Sequence, residues 1–283
     1  MNKTDFPYGG FDTCAVITGA AGGMGRVYAG LLAESGYSLI MVDISGERLE
    51  AAADEIRARI AGTDLPGKEK FRILTLAQDL SCMDAASKVG AAASEFGCPV
   101  EILINNAGLF FMKEIAAADR RQLSLILMVH NYTPLMLCRE FVPGMKERGR
   151  GYVLNISSLA AWMPWPAVGM YADTKRFIKA FSRSLRLECR GTGVSVTTAY
   201  FGAVDTPLYP LKPSLRRLAV RLCVMIPPQK AAYKALKAMF RRRKGLMPGL
   251  LNHIFRPLIA ILPDWIIGPV YSMVRKHVQG LDR

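Results

Sequence analysis

Short apolar runs rich in β-branched residues alternate with longer segments of helical periodicity through the first two-thirds of the chain. Apolar runs between turn signals are typical of buried strands, and their alternation with helices is typical of a parallel sheet covered on both faces. The pattern therefore predicts an α/β fold built on a doubly wound parallel sheet. The predicted strands are residues 13–18, 38–43, 71–77, 101–105, 151–157 and 194–200.

The chain shows no division into separate folded units. No Pro-, Gly- or Ser-rich linker interrupts it, and it carries no internal repeat or low-complexity tract. Its 283 residues suffice for one large core or two modest ones. We therefore expect the predicted strands to belong to a single sheet.

A tyrosine and a lysine stand four residues apart in the helical run MYADTKRFIKAF, at Tyr171 and Lys175. Positions i and i+4 share one face of a helix, so the phenol and the ammonium would point into one space, where the cation lowers the pKa of the phenol. Ser158, thirteen positions before the tyrosine, supplies a hydroxyl for a substrate oxygen. The trio predicts a general acid/base site, although an amphipathic helix with a solvated lysine has the same spacing.

A glycine-rich turn follows the first predicted strand and precedes a helix. The run TGAAGGMG opens with Thr18 and Gly19 and closes with Gly23 and Gly25. Glycines let the backbone approach a phosphate closely, and the following helix presents N–H groups to an anion. The turn therefore predicts a dinucleotide site, with a spacing that differs from the common G-x-G-x-x-G fingerprint.

Four separate motifs together resemble the short-chain dehydrogenase/reductase family over roughly residues 11–210. They are TGAAGGMG at 18–25, NNAG at 105–108, ISS at 156–158 and YADTK at 171–175, in the family's order and spacing. The resemblance implies one Rossmann-type catalytic domain and hydride transfer between a nicotinamide and a carbonyl or alcohol. It places the catalytic domain at 1–248, a substrate lid at about 205–226 and a basic, hydrophobic extension at 249–283.

The resemblance also implies roles for individual residues. Tyr171 would exchange a proton with the substrate oxygen, Lys175 would bind the nicotinamide ribose, and Ser158 would hold the substrate oxygen; Ser157 is the alternative serine. Asn131 matches an asparagine that kinks the long helix and holds a water, although it also fits an ordinary helix interior. The implied cofactor-binding residues are Thr18, Gly19, Gly22, Gly23, Met24, Gly25, Asp43, Asp79, Leu80, Asn106, Ala107, Gly108, Tyr171, Lys175, Gly202, Val204 and Thr206.

Cofactor choice depends on Asp43, which ends the second predicted strand. A carboxylate there accepts hydrogen bonds from the ribose hydroxyls of NAD and repels the 2′-phosphate of NADP. An aspartate that caps the next helix is the alternative, but Ser45 can serve as that cap. Arg26 and Arg48 lie near the positions where NADP-preferring relatives carry a basic residue, yet are displaced from them. We expect NAD to be preferred, with NADP possible.

Two sequence features qualify the resemblance. Relatives have Pro-Gly after the sixth strand, whereas Phe201 replaces the proline here and Gly202 and Thr206 remain, which puts the local loop shape in doubt. His130, beside Asn131, could be considered a general base, but we expect it to be a packed or partly exposed helix residue. The three histidines share no spacing, so no metal site is predicted.

Segments that border the substrate space in the family are apolar or aromatic. Leu109, Phe110, Phe111 and Met112 follow NNAG, and LAAWMPWPAVGM separates the serine from the tyrosine. Such a lining favours a bulky hydrophobic ketone or alcohol, such as a steroid or lipid-like carbonyl. Packing in the core or in a dimer interface would require the same residues. A small polar metabolite or sugar as substrate, and a non-catalytic dinucleotide-binding protein that docks on a membrane, stay open as alternatives.

The carboxyl-terminal part is strongly basic. Residues 211–283 carry 15 of the 37 Lys and Arg but 2 of the 23 Asp and Glu, a net charge of +13. Basic residues interspersed with Leu, Ile, Phe and Trp are typical of a segment that lies on an anionic membrane. A lid with a solvated face would show a similar composition. Nucleic acid is not expected, because no aromatic-interleaved groove or helix-turn-helix pattern is present.

Cysteine usage and the amino terminus bear on location. The six cysteines are scattered without C-x-x-C pairing, and the first ten residues contain no apolar signal core. We expect a cytoplasmic protein that can lie peripherally on the inner face of a membrane. The resemblance implies a homo-oligomer, a dimer or tetramer, through helices around 115–141 and 171–190.

Overall fold

A computed structural model of the chain describes residues 6–162, 166–206 and 225–280. The strands are β1 (Cys14–Thr18), β2 (Ser38–Asp43), β3 (Ile73–Ala77), β4 (Val100–Asn105), β5 (Gly151–Ser158), β6 (Val194–Phe201), β7 (Ala203–Val204), β8 (Met225–Ile226) and β9 (Gly245–Leu246). All except β7 and β8 form one parallel sheet in the order β3-β2-β1-β4-β5-β6-β9, and β7 pairs with β8 separately. The predicted doubly wound parallel sheet is therefore confirmed.

Helices cover both faces of this sheet. They are α1 (Gly23–Glu34), α2 (Gly46–Ala61), α3 (Ala85–Phe96), α4 (Arg120–Leu127), α5 (Thr133–Glu147), α6 (Gly169–Glu188), α7 (Pro228–Phe240), α8 (Leu250–Ile261) and α9 (Asp264–Gly280). One core packs α1, α2 and α7 against the sheet, and a second core packs α3, α5 and α6 against its other face. Because both faces are covered, β1 and β4 are buried throughout and consist mainly of apolar residues.

All six predicted strands are present, with boundaries within two residues of the prediction. The additional sheet strand, β9, contains only Gly245 and Leu246, which pair with Thr198 and Ala199 of β6. Two residues are too few to show the periodicity of a strand. They form a strand by pairing with β6, a contact between distant parts of the chain that the sequence did not reveal.

Strand order reverses at β1, which pairs with β2 on one side and β4 on the other. A crevice opens outside the carboxyl ends of parallel strands at such a point. Three of the predicted motifs reach this edge, because Thr18 ends β1, Asp43 ends β2 and Asn105 ends β4. The topology therefore brings together residues that are far apart in sequence.

The carboxyl-terminal helices pack back onto the body of the protein. A Cβ on Gly202 would lie 2.7 Å from Oδ1 of Asn252 in α8, so this helix lies directly against the loop after β6. In α9, Ile267 is buried and the Tyr271 hydroxyl donates a hydrogen bond to Glu114. Most of the predicted lid, residues 207–224, lies outside the described residues. In the described parts of the chain, no helix combines the length and apolar character that crossing a bilayer requires.

Candidate active site

A cavity of about 350 Å³ opens at the carboxyl edge of the sheet, where strand order reverses. Most of the predicted site residues line it. They are Gly19, Gly22, Gly23, Met24, Asp43, Asn106, Ala107, Gly108, Ser158, Tyr171, Lys175, Gly202, Val204 and Thr206. Thr18, Gly25, Asp79, Leu80 and Asn131 do not line it.

The glycine turn lies close against the loop that follows β4. Gly19 has a φ of +66°, and a Cβ there would lie 2.9 Å from Cα of Ala107. A Cβ on Gly25 would overlap the carbonyl of Gly19, so the tight turn requires glycine at position 25, although Gly25 does not itself line the cavity. Gly22 is the N-cap of α1 and no side chain caps the helix. Its first-turn N–H groups therefore suit the diphosphate of a dinucleotide.

Thr18 and Asn106 join the turn to that loop. The Thr18 hydroxyl accepts hydrogen bonds from the backbone N–H groups of Asn106 and Ala107, both at 3.0 Å. The Asn106 side chain donates to the carbonyl oxygen of Thr18 at 2.9 Å. Thr18 is buried and lies outside the cavity wall, so it positions the cofactor-facing loop and does not itself face the cavity.

Asp43 presents a fixed carboxylate to the cavity. One oxygen accepts the backbone N–H of Ala21 at 3.0 Å, and the other accepts that of Ser45 at 3.2 Å. The expectation that the Ser45 side chain caps α2 was wrong, because this hydroxyl makes no capping bond. Arg48 in the first turn of α2 also lines the cavity, and a Cβ on Gly22 would lie 2.6 Å from its guanidinium. Arg48 is thus nearer to the site than the sequence suggested.

Asp79 and Leu80 stabilise the turn after β3. The Asp79 carboxylate accepts hydrogen bonds from the backbone N–H and the hydroxyl of Ser81, at 2.8 and 2.7 Å. Leu80 is buried, and its carbonyl oxygen accepts the Thr133 hydroxyl at 2.7 Å. Neither residue contributes to the described wall of the cavity.

The two candidate serines have different partners. The Ser158 hydroxyl donates to the carbonyl oxygen of Phe201 at 3.3 Å and accepts the N–H of Ala160 at 3.1 Å. The Ser157 hydroxyl donates to the backbone carbonyl of Lys175 at 2.9 Å. Ser157 therefore ties β5 to α6, and Ser158 keeps its hydroxyl at the end of the strand; both serines line the cavity.

Tyr171 and Lys175 lie one turn apart on the cavity side of α6, and both are buried. The Lys175 ammonium is 5.6 Å from the centre of the Tyr171 ring and donates to the carbonyl oxygen of Ile156 at 3.2 Å. Burial lowers the pKa of Lys175 to about 8, because the charged form loses hydration. The edge of the Phe110 ring meets Tyr171 at a centroid distance of 5.0 Å.

His130 is a residue whose position the sequence did not reveal. It is buried on the cavity wall, which agrees with the expectation of a packed helix residue and differs from the partly exposed alternative. Its Nε2 accepts the N–H of Leu109 at 3.0 Å, and its Nδ1 lies 2.9 Å from the Thr174 hydroxyl. The Thr174 hydroxyl donates to the Tyr171 carbonyl, so we infer that His130 Nδ1 carries the proton. Burial, followed by the Lys175 charge, holds the pKa of His130 well below its usual value.

Asn131 lies in a π-helical turn, Met128–Tyr132, which separates α4 from α5. Such turns are rare, and they interrupt a helix where a side chain must be redirected. The Asn131 amide donates to the carbonyl oxygen of Thr174 at 3.0 Å. The interrupted helix differs from the ordinary helix interior that the sequence left open, and Asn131 holds the backbone of α6 near Tyr171.

The polar groups on the cavity wall suit an organic dinucleotide. In the part of the chain that the structure describes, no three His, Cys, Asp or Glu side chains come close enough to bind an ion. The glycine turn, the uncapped helix and the fixed Asp43 match the diphosphate and ribose of a nicotinamide cofactor.

A family model described as short chain dehydrogenase matches residues 13–213. The chain belongs to the short-chain dehydrogenase/reductase family. This finding confirms the resemblance and shows an NAD(P)-dependent oxidoreductase.

Similar proteins support this assignment. The chain is 32% identical to human very-long-chain 3-oxoacyl-CoA reductase over 280 residues, covering 96% of this chain and 82% of that protein. A solved 7β-hydroxysteroid dehydrogenase matches with a TM-score of 0.76 at 23% identity, covering 89% and 91% of the two chains. A short-chain dehydrogenase from Sphingobium yanoikuyae in complex with NADPH matches with a TM-score of 0.72 at 23% identity, covering 89% and 96%. At these identities the two solved structures show the fold alone.

Replacing Lys175 with Met tests the cost of burying its ammonium. Folding lowers the lysine pKa from 10.5 to about 8, so below pH 8 the side chain is charged in both states and the folded protein bears the full cost. At about 1.4 kcal/mol per pKa unit, the cost is about 3 kcal/mol. In cofactor-free protein at pH 7, we expect K175M to raise the free energy of unfolding by up to about 3 kcal/mol.

The stability advantage of K175M over the wild type should decrease as the pH rises. Between pH 8 and 10.5 the unfolded chain binds more protons than the folded protein, so wild-type stability rises and the advantage of K175M shrinks. Urea unfolding at pH 7 and pH 10 measures the difference in the free energy of unfolding between K175M and the wild type. Replacing the exposed Lys230 with Met is the control, with an expected change within about 0.5 kcal/mol at either pH. A K175M protein less stable than wild type at pH 7 would contradict the argument.

Proposed function

We propose that the protein interconverts a ketone and a secondary alcohol on a bulky, lipid-like substrate, with Tyr171 as the general acid/base. The observation that carries the proposal is the convergence of Tyr171, Lys175 and Ser158 on the wall of the cavity that the glycine turn also lines. When bound, the nicotinamide supplies or accepts the hydride. A phenol, a cation and a hydroxyl are what the substrate oxygen then needs.

In the reducing direction, the Tyr171 hydroxyl donates its proton to the substrate oxygen as negative charge develops on that oxygen. The Lys175 ammonium, 5.6 Å from the ring, stabilises the phenolate that remains. The Ser158 hydroxyl gives up its long hydrogen bond to the Phe201 carbonyl, donates to the same substrate oxygen instead and fixes the position of that oxygen. For alcohol oxidation the proton transfer runs in reverse. His130 and Asn131 act indirectly, by holding Leu109 and Thr174 in place.

The loop after β4 supports a hydrophobic substrate. Leu109 lines the cavity and Phe110 contacts the Tyr171 ring, whereas Phe111 and Met112 are half-buried and do not belong to the described cavity wall. Apolar side chains beside a few polar groups are typical of sites for hydrophobic ligands. Of the two tryptophans between the serine and the tyrosine, Trp162 does not line this cavity, contrary to expectation, and Trp165 lies outside the described residues. The similarity to a 3-oxoacyl-CoA reductase favours a fatty acyl ketone among bulky substrates.

Replacing Tyr171 with Phe should lower kcat about 10²- to 10⁴-fold, the usual contribution of a general acid, and leave the Kd for the reduced cofactor unchanged. Turnover is followed by the absorbance of the reduced nicotinamide with long-chain 3-oxoacyl, steroid and polyol substrates. Tyr132→Phe is the control, because this half-buried tyrosine does not line the cavity. Retained turnover in Y171F refutes the assignment, and turnover restricted to polyols refutes the substrate class.

We propose that NAD is the preferred cofactor. Asp43 is held on the cavity wall by two backbone N–H groups, so its carboxylate is oriented toward the ribose hydroxyls. Arg26 forms an ion pair with Glu55 and is engaged outside the cavity. Arg48 is the one basic residue among those described that line this wall beside Gly22, and it offers a weaker, competing site for a 2′-phosphate.

Replacing Asp43 with Ser should reverse the preference. The substitution removes two charge-assisted hydrogen bonds to NADH and the repulsion of a 2′-phosphate, and it leaves Arg48 in place. We expect the Kd for NADH to rise about tenfold and that for NADPH to fall about tenfold, each a change of about 1.4 kcal/mol. Quenching of tryptophan fluorescence measures both constants. The double variant D43S/R48Q should not show the tighter binding of NADPH that D43S gains. Unchanged Kd values for both cofactors in D43S would contradict the proposal.

We propose that the carboxyl-terminal helices lie on an anionic membrane surface. Several large apolar side chains of α8 and α9 are exposed to solvent, including Ile261 (76%), Trp265 (75%) and Met273 (79%). They belong to the region with a net charge of +13. An apolar surface bordered by cations is typical of helices that bind in the membrane interface.

Sedimentation with phosphatidylserine-containing vesicles should therefore remove the protein from solution, and neutral phosphatidylcholine vesicles should remove less. The variant I261S/W265S should lose at least half of the bound fraction, because two interfacial anchors are missing. Replacement of Met83, an exposed apolar residue of the catalytic body, with Ser should leave binding unchanged. Equal indifference to both kinds of vesicle would eliminate the membrane proposal.

We also propose a homo-oligomer through α4, α5 and α6. Exposed apolar side chains occur on these helices at Leu127, Leu135 and Phe177. Their position agrees with the helices that the family resemblance implied. Covering such side chains in a subunit interface would stabilise the assembly.

A further inference from the structure

A second cavity, of about 620 Å³, lies between α6, β6, β9 and α8, away from the glycine turn. We call it the basic cavity. No Asp or Glu is among the described residues that line it. Its cationic and histidine residues are Lys179, Arg183, Arg186, Lys244, His253 and Arg256.

An aromatic wall holds two of these cations. The Lys179 ammonium lies 4.3 Å from the centre of the Trp162 ring, and the Arg256 guanidinium lies 5.6 Å from it. Trp162 itself packs on Tyr200 at a centroid distance of 4.8 Å. Cation–π contacts fix a positive group without neutralising it. Both charges therefore remain available to a ligand in the basic cavity.

Backbone carbonyls hold a third cation. Arg186 donates to the carbonyl oxygens of Val196 and Arg242, at 3.0 and 3.2 Å. Across the described residues, no ion pair to a carboxylate involves any of the Lys or Arg side chains of the basic cavity. Uncompensated like charges at close range repel each other. The pKa of Lys179 is lowered accordingly, by burial first and then by Arg176 and Arg256.

We propose that the basic cavity binds the phosphate groups of a phosphorylated small molecule. Several cations with no carboxylate select an anion of high charge, and the planar guanidinium groups match phosphate oxygens in a bidentate manner. The volume admits more than one phosphate, and the Trp162 and Tyr200 rings provide an apolar wall for the attached organic group. The site is separate from α1, which presents its N-terminal turn to the cofactor cavity.

The basic cavity has a structural connection to the catalytic cavity. Helix α8 places Asn252 against Gly202 of the catalytic cavity, and His253 and Arg256 on the wall of the basic cavity. Strand β6 likewise contributes Phe201 to one cavity and Tyr200 to the other. A substrate carried on a phosphorylated handle would suit this arrangement. The binding proposal does not depend on the proposed reaction, because its test measures binding alone.

The test uses full-length protein saturated with NADH, which occupies the cofactor cavity, and inorganic pyrophosphate as the calorimetric probe. We expect saturable binding that weakens with salt, and a Kd at least tenfold higher in R183Q/K244Q. Both substituted side chains are exposed and make no hydrogen bond in the described structure, so the fold should persist. The control K230Q/R241Q removes the same charge outside the basic cavity and should bind pyrophosphate as the wild type does.

Further probes distinguish the sources of phosphate. Coenzyme A should bind at the same site, in competition with pyrophosphate, and should show the same loss in R183Q/K244Q. No saturable binding of pyrophosphate or coenzyme A, or equal losses in the test and control variants, would overturn the proposal. So would binding to anionic phosphatidylserine vesicles without binding to either soluble probe. Loss of binding in R183Q/K244Q with NADH affinity intact would support the basic cavity whatever the protein's substrate proves to be.

Discussion

The close approach of the turn after β1 to the loop after β4 determines the form of the catalytic cavity. Gly19 lies so near Ala107 that a side chain at position 19 would displace the backbone of the loop. The Thr18 hydroxyl, which accepts two N–H groups of this loop, holds the two segments together. Because each buried donor there has a partner, the contact costs no unsatisfied polar group. Both walls of the cofactor cavity depend on it.

Helix α6 is positioned by hydrogen bonds that run in both directions between it and β5. Ser157 of the strand donates to the carbonyl of Lys175, and the Lys175 side chain donates to the carbonyl of Ile156. Asn131 adds a third bond from the π-helical turn, to Thr174. These bonds fix the backbone of α6 at Thr174 and Lys175, within one turn after Tyr171, the proposed proton donor. A proton-transfer group needs such support, since a small displacement greatly reduces its efficiency.

Local features explain what the sequence predicted. The strands appear as apolar runs, and the glycine turn and the Tyr171–Lys175 pair each occupy a few consecutive residues, so their spacing is readable directly. His130, Arg48 and the basic cavity are different. Each depends on side chains that distant elements bring together, and no short pattern records that packing. The two residues of β9 likewise form a strand only because β6 lies beside them.

The contact between Gly202 and Asn252 joins the tail of the protein to the catalytic loop. Because Gly202 and the Asn252 side chain are already in close contact, the loop cannot shift toward α8 unless that helix moves away. The Asn252 amide also donates to the carbonyl of Pro248, which anchors the start of the helix. A displacement of α8 would therefore change the space available to Gly202, which lies on the wall of the cavity beside the glycine turn.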